Sequence, residues 1–213
     1  MVAAARSRRR RRAQPSRGRG AQPLLAMNWR ARCGLRVMEA INLAGLYDLP
    51  VLSWDGIEAR LNEGLAQAPG TGGPDRHTCW LATVNPDGSP HVTGVGAIWA
   101  DGTWWFETGR NTRKGRNLGR DPRCTLSVSA REFDLVVEGT AAMVTDQPTV
   151  ARLAARWVAA GWPARLDDSG TALTAEYSAP SAGPPPWNVY RVTARSATAL
   201  SVVDPEGATR WRF

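Results

Sequence analysis

Between residues 79 and 144 the chain is cut into short, apolar, β-rich runs by tight-turn signals, and runs of this length and spacing can pair only as antiparallel strands. Cys79 to Val84 is the first run, and Asn85-Pro86-Asp87-Gly88 turns it back into a second, His91 to Trp99. Asp101-Gly102 then leads to Thr103–Thr108. Arg123 to Ala130 and Phe133 to Val144 follow, with Gly139 placed where a bulge is expected. After a Pro-rich stretch, Ser178 to Pro186, the runs Trp187 to Ala194, Thr198 to Val203 and Ala208 to Phe213 complete the set. Six or more antiparallel strands with short connections point to a mainly β, α+β architecture built on a small closed barrel rather than to βαβ winding.

Helices are expected outside this barrel. Ser53 reads as an N-cap, and Trp54, Ile57, Leu61 and Leu65 then share one helical face up to about Gln67. Arg113 to Arg120 reads as a short helix stopped by Asp121-Pro122. Pro148 suits a first helical turn, and Val150, Leu153, Trp157 and Val158 form a stripe that ends before Gly161 and Pro163.

The net charge of +8 misleads about the domain. Of the 27 Lys and Arg residues, eleven lie in residues 1–37, which hold no acid; the remainder carries 16 basic residues against 19 acidic ones. The basic pI is therefore a property of the tail and does not argue for a nucleic-acid-binding domain. Residues 1–40 are read as a disordered basic tail or an over-extended gene start, with Met27 and Met38 as alternative starts, and 41–213 as the folded domain. A functional arm that binds nucleic acid or anionic lipid is the competing reading of Arg8 to Arg12. No apolar run approaches the length of a membrane span. Cys33, Cys79 and Cys124 are odd in number and show no CxxC, so free thiols and a reducing cytoplasm are expected. His77 and His91 share no ligand spacing with them, and no metal site is expected.

Lys114 is the only lysine among the 213 residues. In a chain that otherwise uses arginine throughout, a single lysine marks a position suited to an ammonium. It sits in Thr108-Gly109-Arg110-Asn111-Thr112-Arg113-Lys114-Gly115-Arg116-Asn117, between a strand and a helix start, a geometry suited to a phosphate. Arg113, Lys114 and Arg116 oppose the helix dipole there. A bound anion would resolve that conflict, each charged hydrogen bond contributing about 1.5–3 kcal/mol. A solvated basic turn is the alternative. In the second strand Gly94 and Gly96 share a face, where glycine marks either close approach by a ligand or a barrel bend.

These residues carry a resemblance. Leu81 to Val92 resembles the opening hairpin of the pyridoxamine 5′-phosphate oxidase-like split barrels. Phe106-Glu107-Thr108, Thr112-Arg113-Lys114, Asn117-Leu118 and Asp121-Pro122-Arg123 resemble that family's cofactor-phosphate segment. Glu138-Gly139-Thr140-Ala141 is similar to a later strand, and Ala208 to Phe213 to the ending of actinobacterial members. The resemblance covers about residues 41 to 213 and implies a six-stranded antiparallel split β-barrel of FMN-binding type with peripheral helices. It also implies a homodimer with FMN or coenzyme F420 at the subunit interface, and hydride transfer between that cofactor and a small organic substrate. Carried over by position, Arg113 and Lys114 would grip the cofactor phosphate, Thr108 and Thr112 would donate to it, and Asn117 would order the loop. The backbone of Thr93, Gly94, Val95 and Gly96 would line the ring. Thr93-Gly94 and the ending Arg210-Trp211-Arg212-Phe213 depart from true pyridoxamine oxidases, which favours a wider pocket and the deazaflavin-using branch. No catalytic side chain is assigned, since such cofactors carry the chemistry themselves. A non-catalytic cofactor- or haem-binding protein, with His91 or His77 as axial ligand, is the alternative. Among the ten tryptophans, Trp80, Trp99, Trp104 and Trp105 are candidates for an aromatic wall, with Trp187 and Trp211 weaker ones; Trp104 and Trp105 must face opposite ways.

Overall fold

The computed structural model describes residues 35–65 and 78–213. Its strands and helices run β1 (Glu39–Asn42), α1 (Trp54–Asn62), β2 (Cys79–Val84), β3 (Pro90–Val95), β4 (Ala97–Ala100), β5 (Thr103–Thr108) and α2 (Arg113–Arg120). They continue with β6 (Arg123–Ser129), β7 (Phe133–Val144), α3 (Gln147–Ala159), β8 (Arg165–Leu166), β9 (Leu173–Thr174), β10 (Asn188–Ser201) and β11 (Gly207–Arg212). The pairings are antiparallel throughout, in the order β1-β11-β10-β7-β6-β2-β3, with β5 joining β10 and β4 joining β5.

The way this sheet closes explains its shape. The run expected as one strand from His91 to Trp99 is two: β3 pairs with β2, the chain steps at Gly96, and β4 pairs with β5 on the far side. The circuit is thus completed at that point by the chain itself rather than by a hydrogen-bonded ladder. β10 supplies the second half of the split. Expected as two strands, it is one of 14 residues, with β7 along one edge. On its other edge Asn188 to Arg191 pair with β5, while Ser196 to Ser201 pair with β11. A register shift between Ala194 and Ser196 lets one strand serve both partners.

Gly139 of β7 faces that shift. A Cβ built there would sit 2.1 Å from the Thr193 carbonyl oxygen and 2.9 Å from its carbon. Backbone at that distance cannot move without breaking the ladder. Gly139→Ala is expected to destabilise the protein by ~3 kcal/mol in urea unfolding, well beyond the effect of an ordinary strand substitution.

The barrel interior holds Leu81, Trp104, Phe106, Leu126, Leu135, Val137 and Trp211, and α1 closes one end with Trp54, Ile57 and Leu61. Trp54 meets Trp211 at 5.4 Å and Phe213 at 4.8 Å, both edge-on. Ser53 stands at the N-cap position of α1, but its side chain makes no capping bond, and the helix stops at Asn62, short of the expected Gln67. α3 buries Val150, Leu153 and Trp157 against Trp105, Val189 and Leu173 in a second core outside the barrel, each such side chain contributing about 1.5–3 kcal/mol. Trp104 and Trp105 do face opposite ways, one into each core. Asp146 caps α3 by accepting from the Thr149 amide at 3.0 Å.

The fold also reaches further toward the N-terminus than the patterning indicated. Glu39 and Ala40 pair with Arg212 and Trp211, and Leu35 and Val37 pack against the barrel core. The arginine run, Cys33, the 69–74 loop and His77 lie outside the described residues.

Candidate functional site

Helix α2 is the expected one, and its start is tightly built. Thr112 is the N-cap, accepting from the Gly115 amide at 3.1 Å and donating to the Gly109 carbonyl at 2.8 Å. Its hydroxyl also lies 3.0 Å from that of Thr108 at the end of β5. Gly115 is required in this turn, because a Cβ would stand 2.4 Å from the Gly109 carbonyl oxygen and 2.8 Å from that of Arg110. Asn117 is buried and donates to Thr83 Oγ1 and Asn85 Oδ1, each at 3.1 Å, which fastens α2 to the β2–β3 hairpin rather than to the basic loop.

The two cations diverge. Arg113 is exposed and lies on the side of Asp87 and His91. His91 is half-buried, and burial, with Arg113 and Lys114 adding, lowers its pKa. Lys114 is 2% exposed. Its ammonium donates to the Ser181 carbonyl and faces the carboxyl of Glu107. Burial lowers its pKa while Glu107 opposes that shift.

The four residues expected against a ring come together around a cavity of about 600 Å³, well within the range of ligand sites. Thr93, Gly94, Val95 and Gly96 line one side. Glu107 stands beside them, Trp157 and Trp162 form an aromatic wall, and Tyr177 to Ser181 form the rim. Neither glycine is demanded by its own fold. A Cβ at Gly94 would meet Thr78 Cγ2 at 3.6 Å, and one at Gly96 would meet Glu107 Oε1 at 3.9 Å, both ordinary contact distances. Neither has the positive φ that only glycine tolerates well. What the missing side chains leave open is the cavity.

Thr108, Thr112, Arg113, Lys114 and Asn117 do not line that cavity. One loop links the two groups. The Ser181 carbonyl accepts from Lys114, while its hydroxyl donates to the Gly94 carbonyl at 3.0 Å on the otherwise open edge of β3. The next residue's carbonyl, Ala182, accepts from the Gly109 amide at 2.9 Å. The basic loop and the glycine strand are therefore held in fixed relation by residues 181 and 182.

Glu107 is the residue that sequence reasoning passed over. Burial raises its pKa from 4.5 to about 8, against the opposing pull of Lys114 and a 3.3 Å hydrogen bond from Ser178 Oγ. The available signal was a lone acid directly after Trp104-Trp105-Phe106 in the strand Thr103–Thr108, every residue of which is buried. The aromatic wall was also misplaced. Trp99 and Trp104 pack at 5.6 Å on the barrel-core side, Trp80 is half exposed on the outside, and Trp105 and Trp187 belong to the α3 side. His91, the haem-ligand candidate among the described residues, does not line the cavity. Cys79 and Cys124 are buried free thiols, their pKa values pushed up to about 12 by desolvation, and are unreactive. Among the described residues no helix is long and apolar enough to cross a membrane.

Comparison with known proteins places this geometry. No curated protein matches the sequence. Among solved structures, the fold is similar to that of a conserved hypothetical protein from Mycobacterium tuberculosis, at 23% identity over 72% of this chain and 87% of that one, with a TM-score of 0.52. More distant matches include a pyridoxamine 5′-phosphate oxidase-related, FMN binding protein from Nostoc punctiforme (17% identity, 75% of this chain and 91% of that one, TM-score 0.48). Another is an F420 reductase (22% identity, 63% and 94%, TM-score 0.41). The model of the pyridoxamine 5′-phosphate oxidase family matches residues 73–201, which takes in the hairpin, the glycine strand, the basic loop and the long strands of the barrel. The chain belongs to the pyridoxamine 5′-phosphate oxidase family, and its barrel is the split β-barrel of that family.

Proposed function

We propose that this protein is an FMN- or coenzyme F420-dependent oxidoreductase, a cytoplasmic homodimer with the cofactor in the cleft between subunits. The observation that carries the reading is the glycine-bounded cavity tied through Ser181 to a buried lysine. A bound flavin or deazaflavin supplies the ring that carries hydride to or from a small organic molecule. The protein's part is placement. The backbone of Thr93 to Gly96 offers a flat surface without Cβ atoms at positions 94 and 96. Lys114 is a buried ammonium with three donors, of which one is engaged by the Ser181 carbonyl, and it fits an anionic group. Arg113 and the first-turn amides of α2 add positive potential at the same helix start. Thr93-Gly94, in place of the arginine and bulkier residue of pyridoxamine oxidases, supports coenzyme F420 over FMN.

Titration of the purified protein with FMN and with coenzyme F420 tests this. Arg113→Ala with Lys114→Ala is expected to weaken binding of the preferred cofactor tenfold or more, on the order of 1.4 kcal/mol or above. Unchanged affinity in that variant removes the phosphate assignment.

The homodimer rests on the outer face of the sheet. Trp80, Val92 and Val136 are 50%, 56% and 37% exposed there, on strands β2, β3 and β7. Trp80 and Val136 both register with Ser127. Trp80→Glu is expected to convert the dimer to monomer in light scattering and to abolish cofactor binding with it; a stable dimer in that variant places the interface elsewhere.

A further inference from the structure

Glu107 is fully enclosed, yet its carboxyl borders the cavity. A buried carboxyl needs a reason, since an apolar residue would fill the same place at less cost. Its surroundings are defined element by element. Within β5 and across to β10 its neighbours are Phe106, Thr108 and the register partner Val189, none of them charged. From the turn between β3 and β4 it meets Gly96. From the rim loop it receives the Ser178 hydroxyl. From α2 comes Lys114, the charged group that acts on it among the described residues. The remaining wall is apolar: Val95, Ala97, Ile98, Trp157 and Trp162. Trp157 has a buried indole N–H with no acceptor among the described residues.

Such a cavity suits one kind of occupant. Its walls favour a flat apolar body. Its carboxyl is held neutral by burial, so it offers an O–H donor, and a lysine behind it disfavours a cationic ligand. We propose that this cavity binds neutral aromatic or cyclic carbonyl compounds, with Glu107 donating a hydrogen bond to the ligand's carbonyl oxygen. The proposal rests on the function above in taking the Glu107 side of this cavity as the place where substrate meets a cofactor ring that lies along Thr93 to Gly96. It assigns Glu107 a direct contact with substrate, and with it a selectivity for ligands that carry an acceptor over hydrocarbons of the same shape.

The test uses acetophenone and ethylbenzene, which share shape and differ by one carbonyl oxygen. Each is titrated into the purified protein at pH 6 and pH 9.5, with calorimetry as readout. At pH 6 the ketone is expected to bind about tenfold tighter, the yield of one hydrogen bond from a buried donor. At pH 9.5, above the range in which Glu107 holds its proton, that preference is lost. Glu107→Gln keeps an N–H donor without a titrating proton, so its preference persists at both pH values. Glu107→Leu binds both probes equally at both. No preference for the ketone in the wild type at pH 6, including no binding of either probe, overturns the proposal, as does a pH-dependent preference that survives in Glu107→Gln. Cofactor affinity is not measured in these titrations, so a failure here is distinct from a failure of cofactor binding in the Arg113 and Lys114 variant.

Discussion

Valine at position 94 or 96 is expected to leave the melting temperature unchanged or slightly raised while lowering affinity for FMN and coenzyme F420 about a hundredfold, the scale of overpacking a filled site by ~2.7 kcal/mol. The two effects separate because the two glycines serve the cavity and not the chain. At either position an added Cβ meets protein atoms no closer than 3.6 Å. Neither backbone is left-handed, and a β-branched residue is favoured in extended structure. The side chain would instead enter the cavity that both residues line, at position 94 on the side of Thr78 and Trp80 and at position 96 on the side of Glu107. Thermal melts and cofactor titration on the same preparations decide the matter. Unchanged cofactor affinity at both positions would show that the ring does not lie along β3. A loss of stability at Gly96 would show that this residue serves the step between β3 and β4.

Much of this arrangement is legible in the sequence because it depends on local chemistry. The hairpin at Asn85 to Gly88, the helix from Arg113 to Arg120 and the opposed Trp104 and Trp105 follow from turn residues, capping and alternation. The partner exchanges did not. Nothing local distinguishes a strand that continues from one that leaves one neighbour for another, so β3 and β4 looked like one run and β10 like two. The four-residue β1 was missed for a similar reason: it is held by its register with β11, some 170 residues away in the chain, and not by its own pattern. The site divides along the same line. Lys114 stood out by its rarity and the glycines by their spacing. Glu107 owes its character to burial, under a wall and rim drawn from residues 157–181, which are distant in sequence, and a single acid within a strand ordinarily reads as an outward-facing residue.

Glu107→Gln is expected to stabilise the protein in alkaline solution. In the unfolded chain this carboxyl ionises near 4.5, whereas burial in the fold holds its proton until about 8. Between those values the unfolded state binds fewer protons than the native one, so the wild type loses stability as pH rises through that window, and the loss levels off above it. The shift corresponds to a loss on the order of 5 kcal/mol, in which the opposing pull of the Lys114 ammonium is already contained. Glutamine removes the titration and keeps the shape. Wild type and variant are expected to unfold at similar urea concentrations at pH 4.5 and to diverge by pH 9, with the variant the more stable. A difference that is the same at every pH would mean that Glu107 is ionised in the fold, paired with Lys114. Subtracting the two proteins cancels the contributions of the other carboxylates, which makes this difference specific to one group. If the variant is the more stable, the acid is being retained against folding stability. A buried group kept on those terms, at the wall of a cavity and beside the glycine strand, is held there for what it does to a ligand rather than for what it does for the barrel.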